Sequence, residues 1–273
     1  MQRHEFLRHL HRVVAPRNYL EIGVSDGRSL MLAEVPSIGI DPALKVRTRL
    51  NRDVKLVRAT SDEFFARPDP MGHLRADRRR FRDLFRARAP RSPERGEPTV
   101  DLVFIDGMHL FEYALRDFMN VESYAAWTSV IVFDDMLPRN VDEAARDRHT
   151  KFWAGDVFKV VDALRRYRPE LVILPIDTQP TGTLVVLGAD PGNRVLAQGY
   201  DEIIRTWAVP DPQVLPESVL SRLDAADPQR VVEAAVWADI VRARDDRIDR
   251  AAGYEQIREQ MVSLAPRPVG AVR

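Results

Sequence analysis

Acidic residues and one histidine follow two apolar runs of the sequence. Asp106 ends the first run and is followed three residues later by His109, and Asp134 and Asp135 end the second run. If the two runs are neighbouring strands of a parallel sheet, about 4.8 Å apart, their terminal carboxylates converge within a few ångströms. Carboxylates that close repel each other unless a proton or a cation lies between them. We therefore predict a metal site of Asp106, Asp134 and Asp135, whose all-oxygen ligands favour Mg2+, with Mn2+ as a substitute, over zinc.

His109 lies where the chain enters the next predicted helix. From there its imidazole can reach the same edge of the sheet without being a metal ligand. A neutral imidazole beside a polarised hydroxyl is a suitable general base at neutral pH, so we predict His109 as the catalytic residue. The alternatives that the sequence leaves open are a packed structural histidine, a helix cap at Asp106, and an Asp135 that only caps or bridges.

A glycine turn forms a second constellation. Glu21 precedes Gly23 and Gly27 in an acid-x-Gly-x-x-x-Gly pattern, and Asp41 ends the next predicted strand. Acids at two strand ends suit a nucleoside pocket at the carboxyl edge of a parallel sheet. The dinucleotide fingerprint needs a middle glycine close to the pyrophosphate, whereas Asp26 occupies that stretch here and would repel a phosphate. The pattern therefore favours a cationic cofactor without phosphates over a dehydrogenase cofactor, with a simple strand-to-helix turn as the alternative.

This turn resembles the first motif of class I S-adenosylmethionine-dependent methyltransferases. The resemblance implies S-adenosylmethionine as the cofactor, with the glycines beneath its methionine part, Glu21 near its amino group and sulfonium, and Asp41 on its ribose hydroxyls. The family reads the adenine after the third strand, where Ser61 and Asp62 lie; a plain helix cap is the alternative for Ser61. The predicted cofactor-binding residues are Glu21, Gly23, Gly27, Ser29, Asp41, Ser61 and Asp62.

The acids and the histidine resemble those of the metal-dependent O-methyltransferases. The closest likeness is to the branch that methylates sugar hydroxyls, such as macrolide-sugar enzymes of the TylF type and related actinobacterial polysaccharide enzymes. In that family an Asp-x-x-His unit after the fourth strand and paired acids after the fifth hold Mg2+ and supply the base, a pattern matched by Asp106, His109, Asp134 and Asp135. The resemblance spans about residues 15–190 and implies that a deprotonated hydroxyl attacks the cofactor methyl in line. Catechol-type enzymes usually have Asp-Asn at the paired acids, which disfavours that branch.

Predicted strands and helices alternate along most of the chain before residue 190. The predicted strands are 18–23, 37–41, 54–58, 100–106, 129–134, 171–174 and 183–187, and the predicted helices are 3–14, 26–34, 110–123 and 156–167. The last two strands are close in sequence, which predicts a hairpin at one edge. This order predicts an α/β fold with a doubly wound, Rossmann-like, seven-stranded sheet and a C-terminal helical appendage.

Two segments fall outside this alternation. Residues 66–99 hold prolines and an arginine run, which predicts an inserted, partly helical, solvent-facing segment; binding of an anionic substrate group or a partner chain is the alternative role for the arginines. Beyond residue 190 only helical patterns with proline breaks remain. We therefore predict a methyltransferase domain over 1–190, with the insertion at about 66–99, and a helical extension over 191–273.

Some histidines and aromatic residues are weaker candidates. His149 lies in the long segment after the fifth predicted strand, which is expected to fold over the substrate. Phe152 and Trp153 in the same segment could stack on a sugar ring, although hydrophobic anchoring of the loop is favoured. The histidines expected at the surface of the first helix are His4, His9 and His11.

Composition limits the partners and the location. The formal net charge is zero and no cysteine occurs among 273 residues, so thiolate chemistry is excluded and the overall charge predicts no nucleic-acid or membrane partner. No apolar run could span a bilayer and no signal peptide is evident. We expect a cytoplasmic enzyme with a small-molecule or oligosaccharide acceptor, which could form a homodimer. The open alternatives are a nucleic-acid or other small-molecule methyltransferase and a catalytically silent binding module.

Overall fold

A seven-stranded sheet organises the part of the chain that the computed structural model describes, residues 1–75 and 99–266. Its strands are β1 Tyr19–Ile22, β2 Ser37–Ile40, β3 Val54–Val57, β4 Val100–Ile105, β5 Ala125–Asp134, β6 Val172–Ile176 and β7 Thr183–Leu187. They lie in the order β3-β2-β1-β4-β5-β7-β6. The first five run parallel, and β7 is antiparallel to both β5 and β6. The predicted doubly wound sheet with a hairpin at one edge is confirmed.

Helices cover both faces of this sheet. They are α1 Arg3–Val14, α2 Ser61–Phe65, α3 Phe111–Glu122, α4 Lys159–Tyr167, α5 Val195–Trp207, α6 Glu217–Leu220, α7 Pro228–Val232, α8 Val236–Asp245 and α9 Arg250–Val262. One buried apolar cluster joins the sheet to α2, α3, α4 and α5, and a second joins its other face to α1, α7, α8 and α9. The central strands are nearly continuous apolar runs because both of their faces are covered.

The C-terminal helices complete the second of these layers. Trp237 and Met261 are buried in the same cluster as Leu10 of α1, and the hydroxyl of Tyr254 donates a 2.6 Å hydrogen bond to the carbonyl oxygen of Glu170. The predicted helical character of this part is confirmed, and its helices pack against the sheet. The division of the chain at residue 190 stays a prediction. No helix within the described ranges is both long enough and apolar enough to cross a lipid bilayer.

The predicted helix over 26–34 is wrong. Only a short 3-10 turn, Leu30–Leu32, forms there. The carbonyl groups of Ser25 and Asp26 accept hydrogen bonds from amides of the segment 45–47, at 3.0 Å each, so they do not receive the amides that would continue a helix. Ser25 also has a left-handed backbone, with φ 49°, which is incompatible with a right-handed helix.

The alternative role for Ser61, a plain helix cap, is also wrong, because Thr60 caps α2. The Thr60 hydroxyl accepts from the amide of Glu63 at 3.2 Å, and the Glu63 carboxylate accepts from the amide of Thr60 at 2.9 Å. This is a capping box. Ser61 is therefore the first residue of the helix, and its hydroxyl is available for another contact.

Most of the predicted insertion over 66–99 lies outside the described residues, as does every arginine of its run except Arg75. Within the described part, a short 3-10 turn forms at Gly72–Arg75. The guanidinium of Arg75 donates to Asp69 at 2.9 Å. The roles predicted for the remaining arginines stay predictions.

Candidate active site

A cleft of about 690 Å3 lies at the carboxyl ends of the parallel strands. Loops after β1, β2 and β3 contribute predicted cofactor residues, and loops after β4 and β5 contribute acids and the histidine. The predicted residues that line the cleft are Gly23, Ser29, Asp41, Ser61, Asp62, Asp106, His109 and Asp135. The two constellations therefore meet in one cleft, at the sheet edge where open α/β folds bind ligands.

Gly23 lies where β1 and β4 end side by side. Its φ is +89°, and a Cβ added there would overlap the carbonyl oxygen of Asp106, so only glycine fits. Its amide donates to the carbonyl oxygen of Ile40 at 2.8 Å, which ties the end of β1 to β2. Gly27, with φ +85°, packs against Thr48. The structure therefore places Gly23 in the cleft, whereas Gly27 shapes the turn behind it.

Glu21 is buried beneath the cleft. Its carboxylate accepts hydrogen bonds from the hydroxyl of Tyr19 at 2.7 Å and from the hydroxyl of Ser29 at 2.6 Å. Burial raises the pKa of Glu21 to about 8, although these two hydrogen bonds oppose the shift. Because it is buried, this side chain does not reach the cleft and cannot make the predicted contact with the cofactor's amino group. It instead holds the hydroxyl of Ser29, which does line the cleft.

Asp41 is held at the end of β2 by two backbone amides. One carboxylate oxygen accepts from Ser25 at 2.7 Å and the other from Ala43 at 2.6 Å. Each carboxylate oxygen has two acceptor positions, so one on each oxygen remains for a ligand. The arrangement suits the recognition of two neighbouring hydroxyls, as predicted for a ribose.

Ser61 and Asp62 line the cleft at the start of α2. The hydroxyl of Ser61 donates to the carboxyl group of Asp117 on α3. Burial raises the pKa of Asp117 to about 7, although its hydrogen bond from Ser61 opposes the shift. Asp62 pairs with Arg116 at 2.9 Å. Both predicted adenine-side residues therefore lie in the cleft with partners on the neighbouring helix.

The loops after β4 and β5 bring together a cluster of three side chains, Asp106, His109 and Asp135. Each offers one possible metal-ligand atom, and these atoms lie within 4.8 Å of one another. His109 Nδ1 is 2.8 Å from the carbonyl oxygen of Trp153 and 3.0 Å from Asp135 Oδ2. Because a carbonyl oxygen only accepts, Nδ1 carries a proton. Nε2 is 3.5 Å from Asp106 Oδ1 and is the nitrogen left for a proton or a ligand.

The charge balance of this cluster favours a protonated histidine. Burial lowers the pKa of His109, but the hydrogen bond to Asp106 and the negative charges of Asp135 and Asp106 outweigh burial and raise the pKa to about 9. Burial also raises the pKa of Asp135, whose second oxygen accepts from the hydroxyl of Thr181 at 2.5 Å. Protonation of His109 therefore balances the same carboxylate charges that a bound cation would balance.

Asp134 does not join this cluster. Its side chain is 2% exposed and contacts the guanidinium of Arg3, which also donates to Asp106 Oδ2 at 3.2 Å. Arg3 thus neutralises the acid that was predicted as a third metal ligand. The donor set that the structure brings together is Asp106, His109 and Asp135, in place of the predicted Asp106, Asp134 and Asp135.

A divalent cation fits the donors of this set. A crevice of about 10 Å3, close to the volume that one water needs, lies among Asp106, His109, Asp134 and Asp135. Two carboxylates and an imidazole suit Mn2+ or another first-row ion at least as well as Mg2+. A metal-bound Nε2 could not accept a proton, so His109 can serve as ligand or as base, and not as both at once.

The loop after β5 fixes the ring of His109. Trp153 stacks on it, with centroids 5.1 Å apart and planes within 7°, and donates from its indole nitrogen to Ala145 at 2.6 Å. Gly155 is required because a Cβ there would overlap the carbonyl oxygen of His109. Trp153 therefore anchors the loop. His149 is exposed and lies beside Asp142, outside the lining of the cleft.

Several residues of the cleft were missed by sequence reasoning. They are Arg3, His4, Ser25, Met108, Tyr113 and Asp117. Asp117 had a signal, since it is an acid on the apolar face of α3, spaced with Ala114 and Val121. Of the histidines predicted at the surface, His11 is mostly buried against Tyr19, and burial lowers its pKa to about 4.

Comparison with known proteins identifies the class of domain. The family described as a methyltransferase domain matches residues 20–136, a range that spans β1 to β5 and the loops that form the cleft. No curated protein is significantly similar to the chain. The segment 20–136 thus has the sequence pattern of a methyltransferase domain, in agreement with the predicted enzyme class.

Some solved structures are similar at low sequence identity, and in each case the alignment covers 68% of this chain. An O-methyltransferase from Bacillus cereus in complex with SAH is 16% identical, with a TM-score of 0.45 and 80% of its own chain covered. TomG from Streptomyces achromogenes, an O-methyltransferase involved in tomaymycin synthesis, in complex with SAM, is 15% identical, with a TM-score of 0.44 and 79% covered. At TM-scores below 0.5, these similarities define no substrate for this chain.

Proposed function

We propose that this chain transfers the methyl group of S-adenosylmethionine to a hydroxyl of a sugar, an oligosaccharide or a glycosylated natural product, with Mg2+ or Mn2+ at the acidic part of the cleft. The observation that carries the proposal is the single cleft that brings Gly23 and Asp41 together with Asp106, His109 and Asp135. The matching methyltransferase domain supports methyl transfer. The choice of a sugar hydroxyl rests on the resemblance of the acids and the histidine to sugar O-methyltransferases.

The cofactor side of the cleft binds and orients the donor. Asp41 has one free acceptor position on each oxygen for the ribose hydroxyls, and Gly23 lets the ends of β1 and β4 approach each other at the cleft. Ser61 and Asp62 lie after β3, where the adenine is expected. When bound, S-adenosylmethionine supplies a methyl group that is activated by a positively charged sulfur.

His109 is the group that moves a proton. The carbonyl oxygen of Trp153 and the carboxylate of Asp135 hold its Nδ1–H, so Nε2 is the nitrogen that takes the hydroxyl proton when His109 is in its neutral form. Asp106 and Asp135 would hold a divalent cation, which would polarise that hydroxyl. Its positive charge would also offset the carboxylate charges that raise the pKa of His109 and so favour the neutral imidazole. Trp153 keeps the imidazole in place by stacking on it, so much of the remaining catalysis is positioning.

Calorimetric titration of S-adenosylhomocysteine, with and without Mg2+ or Mn2+, followed by a screen of sugar and polyhydroxylated acceptors, tests this function. We expect binding of the nucleoside by the wild-type chain, weaker binding by Asp41→Ala, and methylation of a hydroxyl. Asp201→Ala, which removes an exposed acid from α5, is the matched control and should bind like wild type. Absence of nucleoside binding, or methyl transfer to nitrogen only, would contradict the proposal.

A further inference from the structure

Arg3 is held at the cleft by backbone contacts. Its amide donates to the carbonyl oxygen of Gln179 at 3.1 Å, and the amide of Gln179 donates to the carbonyl oxygen of Met1 at 2.9 Å. These bonds join the first residues to the loop between β6 and β7. The helix that follows buries Phe6 and Leu10 completely. Arg3 is therefore the first residue of a well-packed helix, α1. Its position is fixed by the backbone as well as by its side-chain contacts.

The guanidinium of Arg3 lies between the ends of β4 and β5. It contacts Asp134, whose side chain is 2% exposed, and donates to Asp106 Oδ2 at 3.2 Å. A buried carboxylate without a partner is strongly unfavourable, so Arg3 supplies the positive charge that Asp134 needs. Asp106 is shared, because its Oδ1 faces His109 Nε2 at 3.5 Å while its Oδ2 faces Arg3.

We propose that Arg3 is a built-in cation of this site, which competes with a divalent ion for the carboxylate of Asp106 and thereby sets the affinity of the site for that ion. The inference rests on the proposed function, because it concerns the same acidic part of the cleft. A divalent ion that binds Asp106 and Asp135 must share Asp106 with the guanidinium or displace it. The positive charge of a guanidinium that shares Asp106 with the ion also repels the ion directly.

A direct test measures Mn2+ binding, by electron paramagnetic resonance of the free ion or by calorimetry, without a turnover assay. Arg3→Ala alone leaves Asp134 buried and unpaired and could fail to fold. The informative comparison is therefore Asp134→Asn against the double variant Arg3→Ala/Asp134→Asn, in which no buried charge is stranded. We expect the double variant to bind Mn2+ at least about tenfold more tightly than Asp134→Asn, in which the guanidinium still holds Asp106.

Two controls separate this effect from general charge. Arg8→Ala removes an exposed arginine from the same helix and should change the Mn2+ affinity by less than about twofold, because exposed charges are screened by solvent and salt. Arg3→Lys/Asp134→Asn keeps the charge and loses the planar fork that suits a carboxylate, so its affinity should lie between those of Asp134→Asn and the double alanine variant.

Equal Mn2+ affinities for Asp134→Asn and the double variant, or no binding by either, would overturn the inference. If the double variant bound Mn2+ and the wild-type chain did not, the inference on Arg3 would be supported. The proposed function would then have to do without a cation in the wild-type enzyme. Titration of S-adenosylhomocysteine reports separately on the cofactor side. Absence of nucleoside binding by the wild-type chain would count against the proposed function and not against the inference on Arg3.

Discussion

Replacing Glu21 with glutamine tests the buried acid beneath the cleft. The carboxylate of Glu21 is fully buried and accepts from the hydroxyls of Tyr19 and Ser29. In Glu21→Gln, the amide oxygen can accept from Ser29, while the amide nitrogen can donate to the oxygen of Tyr19. The substitution therefore preserves the shape and the hydrogen bonding of the protonated acid and removes only the ability to ionise.

The expected effect on stability depends on pH. Burial raises the pKa of Glu21 from 4.5 to about 8, so the folded chain favours the protonated acid. The stability that this preference contributes is fully present below pH 4.5, is lost as the pH rises towards 8, and stays lost above it. At 1.36 kcal/mol per pKa unit, the loss amounts to at most ~5 kcal/mol. Glutamine has no such loss, so Glu21→Gln should be the more stable protein at pH 9 and close to wild type at pH 5.

Urea unfolding at pH 5, 7 and 9, followed by tryptophan fluorescence and circular dichroism, measures this difference. Glu5→Gln is the matched control, because Glu5 is exposed on α1, and its effect should not vary with pH in the same way. If the difference between Glu21→Gln and wild type were independent of pH, or if Glu21→Gln were the less stable protein at pH 9, burial of an ionisable carboxyl would be the wrong account of Glu21.

The remaining predictions concern the cleft itself. Gly23→Ala should destabilise the fold by about 2–4 kcal/mol, because it combines a left-handed backbone with an overlap on Asp106; urea unfolding checks this, and wild-type stability would contradict it. Asp41→Asn should weaken binding of S-adenosylhomocysteine about tenfold or more, as expected for loss of a charged acceptor; an unchanged calorimetric affinity would remove Asp41 from the ribose site. His109→Gln should lower turnover by about 10²–10⁴-fold while Mn2+ and nucleoside affinities stay within about threefold of wild type. Loss of Mn2+ binding in this variant would make His109 a ligand and not the base.

The central strands of the sheet were predictable because they are buried on both faces. The run that predicted a strand over 100–106 corresponds to Val100–Ile105, and the pair of runs near the end predicted the antiparallel edge hairpin. The helix predicted over 26–34 failed for a non-local reason, since the segment 45–47 takes the carbonyl groups that a helix needs. Apolar spacing reports which residues are buried, and it carries no information on hydrogen bonds to a distant segment.

The direction of Glu21 was open to prediction in part. Residues two apart in a strand share a face, so Tyr19 and Glu21 are expected to be neighbours. A tyrosine hydroxyl can donate a hydrogen bond to a carboxylate. The contacts of Arg3 could not be predicted in this way. Arg3 and Asp106 are 103 positions apart, and their meeting depends on how α1 docks on the sheet and on the bridge to Gln179.

The separation of Asp134 from Asp135 follows from strand alternation. Val132 of β5 packs with α1, and Phe133 packs with α3. Asp134 therefore lies on the same face as α1, where Arg3 is found, and Asp135 lies on the face of α3, where His109 precedes the helix. The register pairs Ile105 with Phe133.

Asp106 and Asp134, one residue further along each strand, are therefore neighbours on the face of Arg3. Two adjacent acids at a strand end point to opposite faces of the sheet, unless the turn that follows redirects one of them. Asp135 has φ 62°, which ends the strand there and lets its carboxylate reach His109. A sequence pattern of paired acids thus predicts one acid for the histidine side and one for the opposite side. In this chain the acid on the opposite side, Asp134, is paired with Arg3. For that reason the affinity of the site for a cation and the identity of the cation's ligands must be measured together.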